Sequence, residues 1–412
     1  MIQGWTAGSR SGTRSRAVGC GVAAVLALVL ATGCGSADVT ALAGVTGGPT
    51  PIKIGLLANI GGSKGEAESA ASEVFEVWAT ETNAAGGIAG HPVEVVVRST
   101  RGDTATAARA AEDLIDDLAV AAVVHISTDT DSAVGERLSG AGLPVIGGLG
   151  YDPRVWGALP NWFGITTTFP QVVYQQVAAA SAVGGNTLSV VACAEELTCT
   201  SAVPLFEAAA QDAGATYAGT VQATADASDY AIECRDLIAS QADYVQLSII
   251  PSVGAQLAAD CRLAGYDGYF GASASSVTSI LYETPGIRLA GGLNAFPWWV
   301  DAPPVQRYRA VMETYDVGPA AWAQPTATAL WATGELFKKV MSTAAEPETE
   351  PVTRETVLAA YGTISEETLD GLLPQPITFA AGQPAPPVNC YWLYRYENGE
   401  FHGGFEPTCP SQ

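Results

Sequence analysis

A chain of 412 residues that is 48% apolar and only 15% charged can bury the core of one large domain or, more readily, two, and this excludes disorder for its bulk. Its 42 acidic residues stand against 19 basic ones, a net charge of −23. Phosphate binding needs a basic footprint, so this balance excludes nucleic acid as a partner and an electrostatic grip on anionic lipid; the acidity reads as solubility in an extracellular setting.

Arg10, Arg14 and Arg16 precede a charge-free apolar stretch at 17–31, followed by Thr32, Gly33 and Cys34. This is the composition of a signal peptide over residues 1–33, and the apolar run falls short of the ~20 residues a spanning helix wants. The sequence Leu30-Ala31-Thr32-Gly33-Cys34 resembles a lipoprotein signal box, although Ala31 stands where leucine is usual. Cys34 is therefore the expected lipidation site; two acyl chains on it would anchor the protein stably at the outer face of the cell membrane. Residues 34–50, rich in Gly, Ala, Ser and Thr, form the expected flexible tether. Loss of three arginines and no acid with the signal takes the net charge from −23 to −26.

Residues 52–58 (IKIGLLA) read as a buried strand with a glycine-rich exit at 59–65. A helix follows over 66–84, ended by a glycine cluster, then a β-branched strand at 92–98 and a second helix at 104–117. The segment 61–65 matches neither a P-loop, which needs GxxxxGK before Ser or Thr, nor GxGxxG. The chain is organised around 121–153: strand 121–126, exit loop 127–131, helix 133–142, strand 143–146 and exit loop 147–153. In an open α/β sheet such exit loops lie at the carboxyl edge, where small molecules bind, so Ser127, Thr128, Gly150 and Tyr151 are the first ligand-contact candidates.

Residues 160–170 read as a crossover into a second lobe that repeats the plan, with helices at 171–183, 201–213, 230–240 and 253–264. Its strands are expected at 187–192, 215–221 and 244–250, with another beginning at 268. Residues 291–301 read as a strand ending in aromatics, 303–315, 321–341 and 353–361 as helices, and 342–352 as an acidic surface loop. Residues 371–388 are proline-rich and extended, and 389–405 form a hairpin turning at Glu397-Asn398-Gly399.

Beyond Cys20 and Cys34, six cysteines remain, an even number suited to disulfides in an exported protein. Many connectivities are open; sequence neighbours favour Cys193 with Cys199, Cys234 with Cys261 and Cys390 with Cys409. No CxxC occurs and the chain has three histidines, so neither a metal site nor a cofactor is expected.

The runs IKIGLLANIGGSKGEAESAASEVFEVWATETNAAGGIAGHPVEVVV, AAVVHIST, LPVIGG, PNWF and AGYDGYFG, with the helix after Asp103, resemble the leucine/isoleucine/valine-binding type of extracytoplasmic solute-binding protein. The likeness runs from about Ile52 to the final hairpin, and NAAGGIAGHPVEVVV is its most specific piece. It implies a two-lobe α/β fold of the type I periplasmic-binding kind, each lobe a mainly parallel sheet flanked by helices, joined by three crossovers. Lobe 1 would combine 51–167 with 296–372, and lobe 2 would combine 168–295 with 373–412. It also implies a monomeric receptor that closes on a small solute and delivers it to ABC permease subunits.

Family members hold an amino-acid carboxylate with hydroxyls and backbone N–H groups of the two exit loops, here around Ser127, Thr128, Gly150 and Tyr151. They place an acid for the ammonium where this chain has Ala272 and Ser273. That departure puts an amide or urea-like solute on a par with a branched-chain amino acid. Gln171 and Ser273, and the aromatics Trp162 and Trp298, complete the expected contacts. A ligand sensor of the same fold is the alternative; a secreted hydrolase using His125 beside Ser127 is a distant one, because no GxSxG or HExxH motif occurs.

Overall fold

The computed structural model describes residues 49–61, 65–193, 197–345 and 350–410, with the side chains of 197–201 and 274 also left aside. The expected signal peptide, the Cys34 lipidation site, the tether up to 48 and the side chain of Cys199 lie outside the described residues.

The chain begins as a regular β-α alternation: β1 Ile52–Ala58, α1 Glu66–Ala84, β2 Val93–Ser99, α2 Thr104–Asp116, β3 Val120–His125, α3 Asp131–Gly140 and β4 Val145–Gly148, then a short α4, Pro153–Trp156. These four strands form one parallel sheet in the order β2-β1-β3-β4. The central strands β1 and β3 are largely apolar because helices cover both faces of a parallel sheet, whereas the edge strand β2 is only part-buried. β3 is buried along its whole length.

A second alternation follows: α5 Phe169–Ala182, β5 Thr187–Cys193, α6 Leu197–Asp212, β6 Thr216–Ala223, α7 Ala231–Ala239, β7 Tyr244–Ser248, α8 Pro251–Leu263, β8 Tyr269–Ala272, α9 Ser279–Tyr282 and β9 Leu289–Leu293. The chain then runs through α10 Pro303–Thr314, α11 Pro319–Trp322, α12 Pro325–Ala344 and α13 Arg354–Tyr361, and ends in β10 Trp392–Glu397 and β11 Glu400–His402. The second sheet has the order β11-β10-β9-β8-β7-β5-β6, parallel except where β10 pairs with β9 and β11.

The helices after β9 return to the first sheet. α12 is buried along most of its length, and Gly334 lets it approach α1: a Cβ there would stand 2.4 Å from the Trp78 ring. Trp78 Nε1 donates to Glu335 Oε1 at 3.1 Å, and Gly148 N donates to Thr333 Oγ1 at 3.1 Å, fastening α12 to α1 and to the end of β4. Arg354, opening α13, donates to the carbonyls of Ile115, Asp117 and Val120, at the connection between α2 and β3.

Strand and helix positions follow the periodicity closely, and the departures have local causes. The strand expected at 291–301 is confined to Leu289–Leu293. Pro297 lacks the N–H a ladder needs, and Phe296 and Trp298 turn into the core instead. The helix expected at 321–341 is two helices, because Pro325 starts α12 at a position where its missing N–H costs nothing. α12 runs on to Ala344, into the expected acidic loop. The final hairpin turns at Asn398-Gly399 with φ of 54° and 85°, the left-handed pair a two-residue hairpin demands. Cys234 is bonded to Cys261 and Cys390 to Cys409. Cys193 is disulfide-bonded as well.

Candidate functional site

The carboxyl ends of both sheets face one cavity of about 270 Å³. From the first sheet come Ile126, Thr128 and Asp129 after β3, Leu149 and Tyr151 after β4, and the opening turn of α1. From the second come Ile249 and Pro251 after β7 and Ser273, Ser275 and Thr278 after β8. α5 presents Phe169, Val172, Val173 and Gln176, one face of a helix at i, i+3, i+4 and i+7.

Of the residues expected from sequence, Thr128, Tyr151 and Ser273 stand in this wall. The other five stand outside it. Ser127 is 1% exposed; its Oγ shares a hydrogen bond of 2.7 Å with Thr100 Oγ1 while its carbonyl accepts from Thr130 N and Oγ1. Gly150 packs under Trp156, whose ring a Cβ would meet at 2.4 Å. Trp162 is fully buried, its ring 4.8 Å from Trp156 and 5.9 Å from His125. Gln171 falls off the α5 stripe just described. Trp298 packs edge-on against Trp299 and Phe401 in the aromatic layer under the final hairpin.

The backbone donors expected for a carboxylate are engaged within the protein. Thr128 N donates to Ile126 O, Gly150 N to Thr166 Oγ1 at 3.3 Å, and Tyr151 N to Asp131 Oδ2 at 3.1 Å. Asp131 is the hub of this wall. Its buried Oδ2 also accepts from Asp152 N at 2.8 Å and Trp156 Nε1 at 3.1 Å, and its Oδ1 lies 2.9 Å from His125 Nε2. His125 thus faces Asp131 and two tryptophans, while Ser127 Oγ turns to Thr100; the hydrolase pairing finds no support in this geometry.

Sequence reasoning missed the acids of the cavity. Glu66 and Glu68 open α1 and enter the wall with Asp129. Glu68 Oε2 accepts from Asn59 N at 2.6 Å. Although part of its side chain still meets solvent, burial pushes its carboxyl up to about 8; the Asn59 N–H opposes this, and Asp129 and Asp131 add repulsion. Acids in a helix's first turn read from sequence as dipole partners facing water. Only the return of α1 over the exit of β1 brings them inward, and no local pattern carried that signal. Opposite them, Tyr151 reaches across the cavity and its phenol donates to Ser275 Oγ at 3.2 Å. Burial pushes this phenol up to about 12, so it remains a neutral donor.

Solved structures share this architecture. A substrate-binding periplasmic protein from Ralstonia solanacearum is 17% identical with a TM-score of 0.72, covering 85% of this chain and 99% of its own. A leucine-binding protein from Thermotoga maritima is 16% identical with a TM-score of 0.66, covering 87% and 99%. A fatty acid ABC transporter substrate-binding protein from Thermomonospora curvata is 18% identical with a TM-score of 0.68, covering 88% and 93%. No curated protein sequence matches the chain significantly. The family model described as periplasmic binding protein matches residues 51–400, the span that contains every strand end at the cavity. The chain belongs to the periplasmic binding protein family.

Proposed function

We propose that this protein is an extracytoplasmic solute receptor of an ABC importer, held at the outer face of the membrane by lipidated Cys34, acting as a monomer and passing its solute to permease subunits. The lobes that close on the solute are 51–167 with 296–372 and 168–295 with 373–412. The observation that carries this reading is a cavity shared by the strand ends of both sheets, lined by polar exit loops and an apolar α5 face. A mostly apolar pocket with a few placed polar groups suits a small amphipathic solute, of branched-chain amino acid, amide or urea-like size.

Binding to the folded state alone raises stability by mass action, about 2.7 kcal/mol at a hundred times Kd. Thermal-shift screening of the purified protein against amino acids, amides, ureas, amines and aromatic solutes tests the reading. A concentration-dependent rise in Tm with one class supports it; no shift with any small solute counts against it.

A further inference from the structure

The polar groups of the cavity are unevenly matched. Among the described residues its wall contains Glu66, Glu68 and Asp129 and no lysine or arginine. Four amino-terminal helix ends also reach it, α1, α5, α8 and α12, and these would favour an anion, although the first turn of α1 already carries Glu66 and Glu68. The other three each carry proline among their first two residues, Pro170, Pro251 and Pro325, which removes one N–H from the set such an end can offer. The exit-loop N–H groups of Thr128, Gly150 and Tyr151 are engaged elsewhere, as described. One acceptor, by contrast, is left over. Gln324 is 1% exposed and its Nε2 donates to the carbonyls of Ala320 and Ala321, which fixes its amide orientation and leaves Oε1 with no partner. Thr278 Oγ1 and Thr326 Oγ1, hydroxyls that can accept or donate, on residues 6% and 1% exposed in the same wall, also have no partner. Buried unpaired acceptors are costly and await donors.

Resting on the receptor reading above, we propose that the solute is a cationic amphiphile, an amine without a carboxylate, whose ammonium sits on Glu68 beside Asp129 and whose apolar body lies against Phe169, Phe206 and Ile249. An ammonium brings three donors and no acceptor, which is the complement of this wall. Among the described residues, the groups facing Glu68 are acids, Glu66 on its own helix and Asp129 and Asp131 after β3, with the Asn59 N–H at the exit of β1 and His125 beyond Asp131. In the empty cavity Glu68 holds its proton near neutral pH, and an arriving ammonium displaces it.

The test compares solutes of one branched skeleton by calorimetry on the purified protein: isoamylamine, isocaproate, isocaproamide and leucine. The expected result is binding of isoamylamine in preference to the other three, with proton release that shows as a buffer-dependent heat. Glu68→Gln keeps the shape and the Asn59 contact, and is expected to weaken the amine on the order of thirtyfold or more. Asp129→Asn, at an exposed position, gives a smaller loss in the same direction and serves if Glu68→Gln does not fold. Tighter binding of isocaproate, isocaproamide or leucine than of the amine, or an amine affinity unchanged in both variants, overturns this assignment and leaves the receptor reading standing. Binding of none of the four, together with an empty broader screen, takes down both.

Discussion

Both sheets meet the cavity with exit loops at the ends of parallel strands, yet the loops are braced by different chemistry. On the first sheet one buried carboxylate, Asp131, gathers the N–H groups of Tyr151 and Asp152, the Trp156 indole and the His125 ring. On the second, the Cys234–Cys261 bridge joins α7 to α8, whose first residue Pro251 stands in the wall. A disulfide acts mainly on the unfolded chain, whereas a buried carboxylate stabilises only while its donors surround it. The first wall is therefore sensitive to single atoms in the folded state. The second keeps its geometry after modest changes.

The sharpest way to break this comparison is Asp131→Ala. It leaves three N–H donors and an imidazole around a void, and breaking a buried charged network in this way costs about 3–5 kcal/mol. Urea denaturation checks it; a loss under about 1 kcal/mol would mean that the hub does not brace the loops. Solute binding is expected to fall further than stability alone accounts for, because Tyr151 loses its anchor.

Glu68 gives the first wall a pH dependence. Burial lifts its carboxyl to about 8 in the folded chain from an ordinary 4.5, so between those values the folded state holds a proton that the unfolded state has released. The contribution to stability is complete below 4.5 and is lost as pH rises through 8, a swing on the order of 3 kcal/mol once its partial exposure is allowed for. Glu68→Gln removes the titration. Thermal unfolding of the two proteins across this window should give a falling Tm in the parent and a flatter profile in the variant. Parallel profiles would show that Glu68 is not desolvated.

On the second wall, replacing Cys234 and Cys261 together by serine is expected to cost ~2–4 kcal/mol, since the bridge closes a loop with a sequence separation of 27. Solute affinity measured below the new transition should change little. If affinity collapses together with stability, the bridge positions the wall directly and the contrast between the two walls disappears.

The alternation of elements was legible because parallel strands covered on both faces must be apolar runs, and glycine and proline mark where they stop. β1 and α1 stand where the pattern puts them. Placing loops at carboxyl edges was equally sound, and it brought Thr128, Tyr151 and Ser273 to the cavity. What could not be read was side-chain direction within those loops. Ser127 and Thr128 are adjacent, yet one turns to Thr100 while the other faces the cavity. Trp162 and Trp298 lie near strand ends in sequence but fill core volume, because a large ring beside a sheet edge packs on its neighbours first. Glu68 and Gln324 became visible only when α1 and α12, distant in sequence, packed at the same end of the first sheet.

Tyr151→Phe tests a side-chain hydrogen bond that joins the two walls, from the Tyr151 phenol to Ser275 Oγ. A single neutral hydrogen bond contributes about 1 kcal/mol, and the ring keeps its packing on Phe169 at a centroid distance of 5.8 Å. Global stability should therefore change little. The bond links loops carried by different sheets, so its loss should act on the balance between open and closed cavity, lowering solute affinity by about fivefold with the denaturant midpoint almost unmoved. Because burial holds the phenol near 12, the parent should keep this advantage up to about pH 10. Equal affinities in parent and variant would mean that the two walls meet through packing alone, and the polar bridge would then have no part in closure.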